Sequence, residues 1–137
     1  MWILVAILLA QPPNFESVHK LSLNEFWEGV KVVDDSLVFR YFLPDAHEVY
    51  FIGDLNGFDT TAGRMERDAN GAFRIAFKFA PGCYRYKLIV DGQPMLDPTH
   101  KAILHCIWDK FSFFCVSPDR RLSFKLTLTQ RFRMCLK

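Results

Sequence analysis

The chain has little net charge and no long apolar run, and each shortage excludes a class of partner. Its 137 residues carry 17 Lys and Arg against 15 Asp and Glu, which gives a formal net charge of +2. This excess is too small to indicate a nucleic-acid partner. The apolar stretch from Trp2 to Ala10 is much shorter than the ~20 residues that a membrane-spanning helix needs. The sequence therefore predicts no nucleic-acid partner and argues against a membrane.

The chain has only four cysteines, and their spacing predicts no metal site. No two cysteines stand two residues apart, and no histidine lies at a matching interval. The spacing leaves room for a disulfide only within the segment after residue 100, or between that segment and Cys83. We expect free, mostly buried thiols, because unpaired cysteine is among the most buried residue types. The chain contains Cys83, Cys106, Cys115 and Cys135.

The chain also lacks a catalytic constellation. No Ser, Asp or Cys near a histidine matches a nucleophile motif. Asp91 and Asp97 come nearest to the paired acids of a glycoside hydrolase, but Asp91 belongs to a turn signal and Asp97 precedes a proline. We expect no catalytic residue, no cofactor and no enzyme activity. The histidines are dispersed at His19, His47, His100 and His105.

Residues 1–29 are predicted to form a signal-like apolar start and a connector. The stretch from Trp2 to Ala10 has the length of a signal-peptide core and ends at a small residue, although no Lys or Arg precedes it. Two locations therefore stay open: cytoplasmic or, if the stretch is a truncated signal, extracytoplasmic. Ser22, three residues before Glu25, predicts a short helical turn that ends at Gly29.

Aromatic residues are abundant and follow the period of a β-strand. The chain has 14 Phe, 4 Tyr and 3 Trp, or 15% aromatic residues, which suits strands and sandwich cores. In segments 72–79 and 83–90 apolar residues alternate with polar ones, which predicts two half-buried strands. The expected inward residues are Phe73, Ile75, Phe77, Phe79, Tyr84, Tyr86, Leu88 and Val90.

Turn signals separate these strands from others at short intervals. Asn70-Gly71 and Asp91-Gly92 favour tight hairpin turns, because both residue pairs tolerate positive φ. No helical pattern of ten residues lies between the strands. This spacing predicts an all-β antiparallel sandwich. Further strands are expected at 30–33, 37–43, 49–52, 64–67 and 93–96.

The ordered motifs between residues 30 and 98 resemble a known family. They read VVDDSLVFRYFLPDAHEVYFIGDLNGF and then NGAFRIAFKFAPGCYRYKLIVDGQPMLDP. This order is similar to that of the early-set immunoglobulin-like carbohydrate-binding modules. Such modules include the N-terminal domains of isoamylases and glycogen-branching enzymes, and the glycogen-binding domain of the AMP-activated kinase β subunit. The resemblance implies an immunoglobulin-like β-sandwich over residues 30–98.

The resemblance also implies a function, a non-catalytic module that binds α-glucan such as glycogen or starch. In these modules aromatic rings stack on glucose while a Lys and polar groups bond its hydroxyls. Carried over by position, the carbohydrate site comprises Phe58, Lys87, Asn56 and Pro94. Phe58 stands where the family usually has Trp, and Pro94 replaces the second stacking aromatic. An alternative therefore stays open: a protein-interaction or scaffold sandwich that has lost carbohydrate binding and packs on a partner protein or enzyme subunit.

Residues 99–137 do not resemble the family. This tail is rich in Cys and Phe and ends in a basic run, which we interpret as a solvated strand face. Only 121–128 shows a strand-like alternation. Two accounts stay open: this segment replaces the closing strand, or the tail comes from a frame shift or an alternative exon and leaves the sandwich imperfectly closed.

Overall fold

A computed structural model of the protein describes residues 26–136, so the apolar start and the expected turn at Ser22 lie outside it. The described residues form strands in two antiparallel sheets with one short α-helix. The strands are β1 (Gly29–Val33), β2 (Ser36–Tyr41), β3 (Val49–Gly53), β4 (Glu66–Arg67), β5 (Phe73–Lys78), β6 (Gly82–Val90), β7 (Gln93–Met95), β8 (Ile103–His105), β9 (Lys110–Val116) and β10 (Leu122–Ser123). A 3-10 helix spans Asp54–Asn56, and α1 spans Leu128–Cys135.

The two sheets make the all-β sandwich that the alternating pattern predicts. One sheet has the order β1-β2-β5-β4, and the other has β10-β9-β6-β3 with β7 on β6 and β8 on β9. Asp91 and Gly92 both adopt positive φ between the paired residues Val90 and Gln93. A two-residue hairpin requires this geometry. Within the described range no helix is long and apolar enough to cross a membrane.

The core between the sheets contains the predicted inward faces of β5 and β6. Of the eight expected residues, Phe73, Tyr86 and Leu88 are buried in it and the other five pack against it. The Phe39 and Phe51 ring centroids lie 4.5 Å apart, so the two sheets meet through aromatic contacts. Each such side chain contributes about 1.5 to 3 kcal/mol on burial.

β9 is a long strand that the sequence analysis missed. It pairs with β6 from Gly82↔Val116 to Tyr86↔Ser112. The strand expected at 121–128 forms only at its start, where β10 pairs with β9. The sequence of β9 hides its alternation because both faces are covered: Phe114 joins the main core and Phe113 joins a second one. A strand buried on both faces reads as a continuous apolar run.

The second core lies under α1, on the outer face of the six-stranded sheet. Leu104 of β8, Phe113 of β9 and Met134 of α1 form it, and all are at most 4% exposed. Thr127 caps the helix, accepting a hydrogen bond from the Gln130 amide at 3.1 Å. The Gln130 side chain accepts one in return from the Thr127 amide, which completes a capping box.

Disulfides join all four cysteines, so the expectation of free thiols is wrong. Cys83–Cys115 links β6 to β9, and Cys106–Cys135 links the β8–β9 turn to the end of α1. Cys83 and Cys115 are directly opposite in the strand register, although 32 residues separate them in sequence. Spacing could not reveal this pairing because the pairing depends on the unrecognised strand β9.

A buried carboxylate connects the two sheets. Asp97 is 3% exposed and accepts hydrogen bonds from the hydroxyls of Tyr41 and Tyr86, each at 2.5 Å. Its backbone amide donates to the Ser112 hydroxyl at 2.8 Å, and Thr99 donates to its other oxygen. Burial, followed by the charge of this carboxylate, raises the pKa of Tyr86, and burial raises that of Tyr41. Both phenols therefore stay protonated as donors.

We predict that Asp97→Ala lowers the free energy of unfolding by about 2 to 4 kcal/mol, because two buried hydroxyls lose their acceptor. Urea denaturation followed by circular dichroism measures the loss. Asp45→Ala, at an exposed residue, is the control and should leave stability nearly unchanged. Equal stability of the two variants would show that the Asp97 bonds do not hold the sheets together.

The disulfides give a second prediction. Replacing Cys106 and Cys135 by Ser should lower the free energy of unfolding by about 3 kcal/mol, because the unfolded chain then gains the entropy of an open loop.

Alkylation of the native parent chain, read by mass spectrometry, should add no label without a reductant and four labels after reduction and unfolding. Labelling of the unreduced chain contradicts the pairing.

Candidate functional site

The outer face of the six-stranded sheet is only partly covered by α1. Beside the second core, six residues line an open, shallow depression of about 330 Å³. They combine two aromatic rings, two cations, one carboxylate and one aliphatic side chain. The lining residues are Ile52, Phe58, Arg85, Lys87, Asp109 and Phe111.

The loop after β3 holds Phe58 in place. Its backbone amide donates to the Gly53 carbonyl at 2.8 Å, and its φ of +57° is rare for a bulky residue. The Asn56 side chain fixes the loop: Oδ1 accepts from the Gly53 amide at 3.0 Å and Nδ2 donates to the Phe51 carbonyl at 2.9 Å. A Cβ at Gly63 would lie 1.8 Å from the Phe51 carbonyl oxygen. The ring of Phe58 is therefore positioned by tight backbone packing.

Arg85 packs against both aromatic rings of the depression. Its guanidinium carbon lies 5.0 Å from the Phe58 ring centroid and 5.2 Å from that of Phe111, within cation–π range. The two rings are 5.7 Å apart and nearly perpendicular. Asp54 pairs with the guanidinium through Nη2–Oδ1 at 2.9 Å and Nε–Oδ2 at 3.2 Å. This bidentate pair fixes Arg85, and Arg85 in turn fixes the rings.

Lys87 supplies the second cation of the depression. Its Nζ lies 2.5 Å from Oδ2 of Asp109 and 4.9 Å from the Phe111 ring centroid. The hydrogen bond from Lys87 lowers the pKa of Asp109, so this carboxylate stays charged at neutral pH. The Asp109 side chain is 49% exposed and that of Lys87 is 12% exposed. An ammonium with three N–H donors and an exposed carboxylate can bond hydroxyl groups of a ligand above the rings.

The structure brings together two of the four residues expected in a carbohydrate site. Phe58 and Lys87 line the same depression. Asn56 uses its side chain to bond the loop backbone. Pro94 is exposed on β7, opposite Ile89 of β6, and is absent from the lining of the depression.

Sequence reasoning missed Phe111, Arg85 and Asp109. Arg85 and Lys87 are two residues apart in β6 and therefore lie on the same outer face. The alternation of this strand could have indicated Arg85. Phe111 could be found only by recognising β9, because that strand carries it to the side of β6. Asp109 precedes β9 and depends on the same pairing.

Metal-binding chemistry receives no support from the geometry. Between residues 26 and 136 no group of three or more His, Cys, Asp or Glu side chains is placed to hold a metal ion.

Asp91 and Asp97, the two carboxylates that come nearest to the acid pair of a glycoside hydrolase, have different surroundings in the structure. Asp91 accepts from the backbone amides of His47 and Glu48 at 2.9 Å, whereas Asp97 is buried with the tyrosines.

Two curated proteins are similar to part of the chain. The 1,4-alpha-glucan-branching enzyme of Dictyostelium discoideum is 39% identical over 59 residues, which cover 43% of this chain and 9% of that protein. Protein PTST homolog 2, chloroplastic, of Arabidopsis thaliana is 42% identical over 58 residues, which cover 42% of this chain and 11% of that protein. The matches thus span about a tenth of each relative. No protein-family model matches the chain.

The two ion pairs of the depression should differ in their effect on stability. Asp54→Asn removes the charge that compensates a nearly buried guanidinium, so we expect a loss of about 2 kcal/mol in the free energy of unfolding. Asp109→Asn breaks a half-exposed pair and should cost less than ~1 kcal/mol. Chemical denaturation of both variants measures the difference, and a larger loss for Asp109→Asn would contradict this assignment.

Proposed function

We propose that the chain is a non-catalytic module that binds α-glucan such as glycogen or starch, and that its sandwich is of the early-set immunoglobulin-like type. The observation that carries the proposal is the grouping of Phe58 and Phe111 with Arg85 and Lys87 on one open face. Phe111 supplies the second aromatic that Pro94 cannot. The depression thus offers two aromatic rings to a sugar.

The chemistry of the depression suits a neutral polyol. Rings exclude water over the apolar face of a sugar while a few polar groups fix its orientation. Lys87 provides donors and Asp109 an exposed acceptor, so hydroxyls at neighbouring positions can each find a partner. Phenylalanine rings are smaller than tryptophan, and the depression is shallow, so binding should be weak, with a Kd on the order of 1 mM.

The relatives support a glucan as the ligand class. One of them carries 1,4-alpha-glucan in its name, and the part it shares with this chain is about a tenth of its length. A likeness of this extent concerns a module and not a whole enzyme. It supports the resemblance to glucan-binding modules, and we propose for this chain the binding of glucan without the branching activity.

The surroundings of the carboxylates support a role without catalysis. Glycoside hydrolysis commonly uses two acids that flank one bond. Asp109 is the only carboxylate among the residues lining the depression, and it is paired with Lys87 at 2.5 Å. The lining of the depression therefore supports the binding of a sugar.

Affinity electrophoresis in native gels with and without glycogen tests the proposal. The parent chain should migrate more slowly in the glycogen gel. Replacing Phe58 and Phe111 together by Ala removes both stacking rings and should weaken binding about tenfold or more. Phe26→Ala is the matched control, because Phe26 is an aromatic residue, 63% exposed, outside the depression, and its loss should leave the retardation unchanged.

Two outcomes would contradict glucan binding at this face. The first is unchanged mobility of the parent chain in glycogen and in starch gels. The second is retardation that persists in the Phe58 and Phe111 double variant. The first result would favour the alternative, a protein-interaction sandwich that has lost carbohydrate binding, and the second would assign glucan binding to another surface.

A further inference from the structure

A second surface, separate from the depression, exposes large apolar side chains. Ile107 and Trp108, in the turn between β8 and β9, are 91% and 93% exposed. On α1 and directly after it, Leu128, Phe132 and Leu136 are 84%, 69% and 70% exposed. All five line one open groove of about 690 Å³. We call these five residues the hairpin–helix surface.

The exposure of this surface is built into the fold. The Cys106–Cys135 disulfide joins the β8–β9 turn to α1, and Met134 anchors the opposite side of the helix in the second core. Leu128, Phe132 and Leu136 are spaced four residues apart and therefore share one helix face. The disulfide and the core thus hold that face and the turn side by side, both directed away from the protein.

The segment from residue 120 to residue 136, which contains α1, carries charges of one sign, whereas Asp109, which follows Trp108 in the turn, is paired with Lys87. After Asp119 the sequence contains no Asp or Glu, whereas it contains Arg120, Arg121, Lys125, Arg131 and Arg133 before residue 137. Arg131 lines the groove, and Lys125 and Arg133 are exposed. Among the ion pairs of residues 26–136, none involves these three cations. The exposed Lys125 and Arg133 can therefore face an anionic partner, whereas the Arg131 guanidinium lies 5.7 Å from the Phe113 ring centroid.

We propose that the hairpin–helix surface docks on an anionic lipid surface. Exposed Trp, Phe and Leu beside Arg and Lys are the side chains that enter the boundary between headgroups and acyl chains. The cations then lie at the depth of the negative headgroups. This departs from the sequence-based expectation, which argues against a membrane and interprets the basic end of the chain as a solvated strand face. That interpretation does not place α1 and the β8–β9 turn together.

The lining of the groove favours lipid over a protein segment or a glucan. Most of its lining is apolar, and the polar groups there are His105, Thr129, Arg131 and the indole N–H of Trp108. A bound peptide or sugar needs several fixed polar groups for its orientation, whereas a lipid surface needs only apolar area and charge. The lipid contact is also distinct from the glucan site: Ile107 and Trp108 line the groove, whereas Asp109 lines the depression.

Co-sedimentation of the full chain with vesicles tests the proposal. The chain should pellet with phosphatidylcholine vesicles that contain about 30% phosphatidylserine, and far less with phosphatidylcholine alone. Replacing Trp108 and Phe132 together by Ser should reduce the partition coefficient about tenfold or more. Both side chains are exposed, so the variant should fold. Phe26→Ser, at another exposed aromatic, is the matched control.

A charge pair of variants tests the electrostatic part. Lys125→Gln with Arg133→Gln should reduce partitioning several-fold at low salt. Lys31→Gln with Lys78→Gln removes the same charge from exposed positions on the other sheet and should change partitioning much less. The glycogen-gel mobility of the Trp108 and Phe132 variant should equal that of the parent chain, which separates this proposal from glucan binding.

Three results would overturn the proposal. One is failure of the parent chain to sediment with the anionic vesicles. Another is equal sedimentation of the parent chain and the Trp108 and Phe132 variant, which would assign binding to another segment, such as residues 2–10. The third is a parent chain that forms dimers, loses them in that variant and ignores vesicles, which would assign the surface to a second copy of the chain.

Discussion

The pairing of β6 with β9 is the constraint on which the rest of the structure depends. It joins residues 82–86 to residues 112–116 and adds β9 to the six-stranded sheet. β9 belongs to the segment after residue 98, which does not resemble the family. Because successive side chains of a strand point to opposite faces, β9 contributes side chains to both hydrophobic cores. Phe114 packs in the core between the sheets, and Phe113 packs in the second core under α1.

The same pairing assembles both candidate surfaces. It places Phe111 where Arg85 and Lys87 both contact its ring, and it sets Asp109 beside Lys87. It also carries the β8–β9 turn, whose disulfide to α1 creates the hairpin–helix surface. β8, β9 and β10 are therefore strands of the six-stranded sheet, and both candidate surfaces include residues from this part of the chain.

Predictions from sequence succeeded where the cause is local. Asp91-Gly92 determines a two-residue turn through its own φ preferences, and the alternation in 72–79 and 83–90 determines which face of each strand is buried. They failed for β9 and for the cysteines. In β9 apolar residues occupy both faces, so no alternation marks the strand. Unless β9 is recognised, nothing in the sequence indicates that Cys83 and Cys115 are paired. Within the site, Phe58 and Lys87 could be named from motifs, whereas Phe111 could not.

The sequence by itself determined the fold class, most strand positions and the outward direction of Lys87, because turn chemistry and side-chain alternation act over a few residues. The tertiary structure alone decided which residues share a surface. Phe58 and Phe111 are 53 positions apart in sequence, yet their rings meet at 5.7 Å, and Ile107 and Leu136 line one groove. Such neighbours are determined by strand register and disulfide pairing, which depend on contacts between distant segments and leave no local pattern.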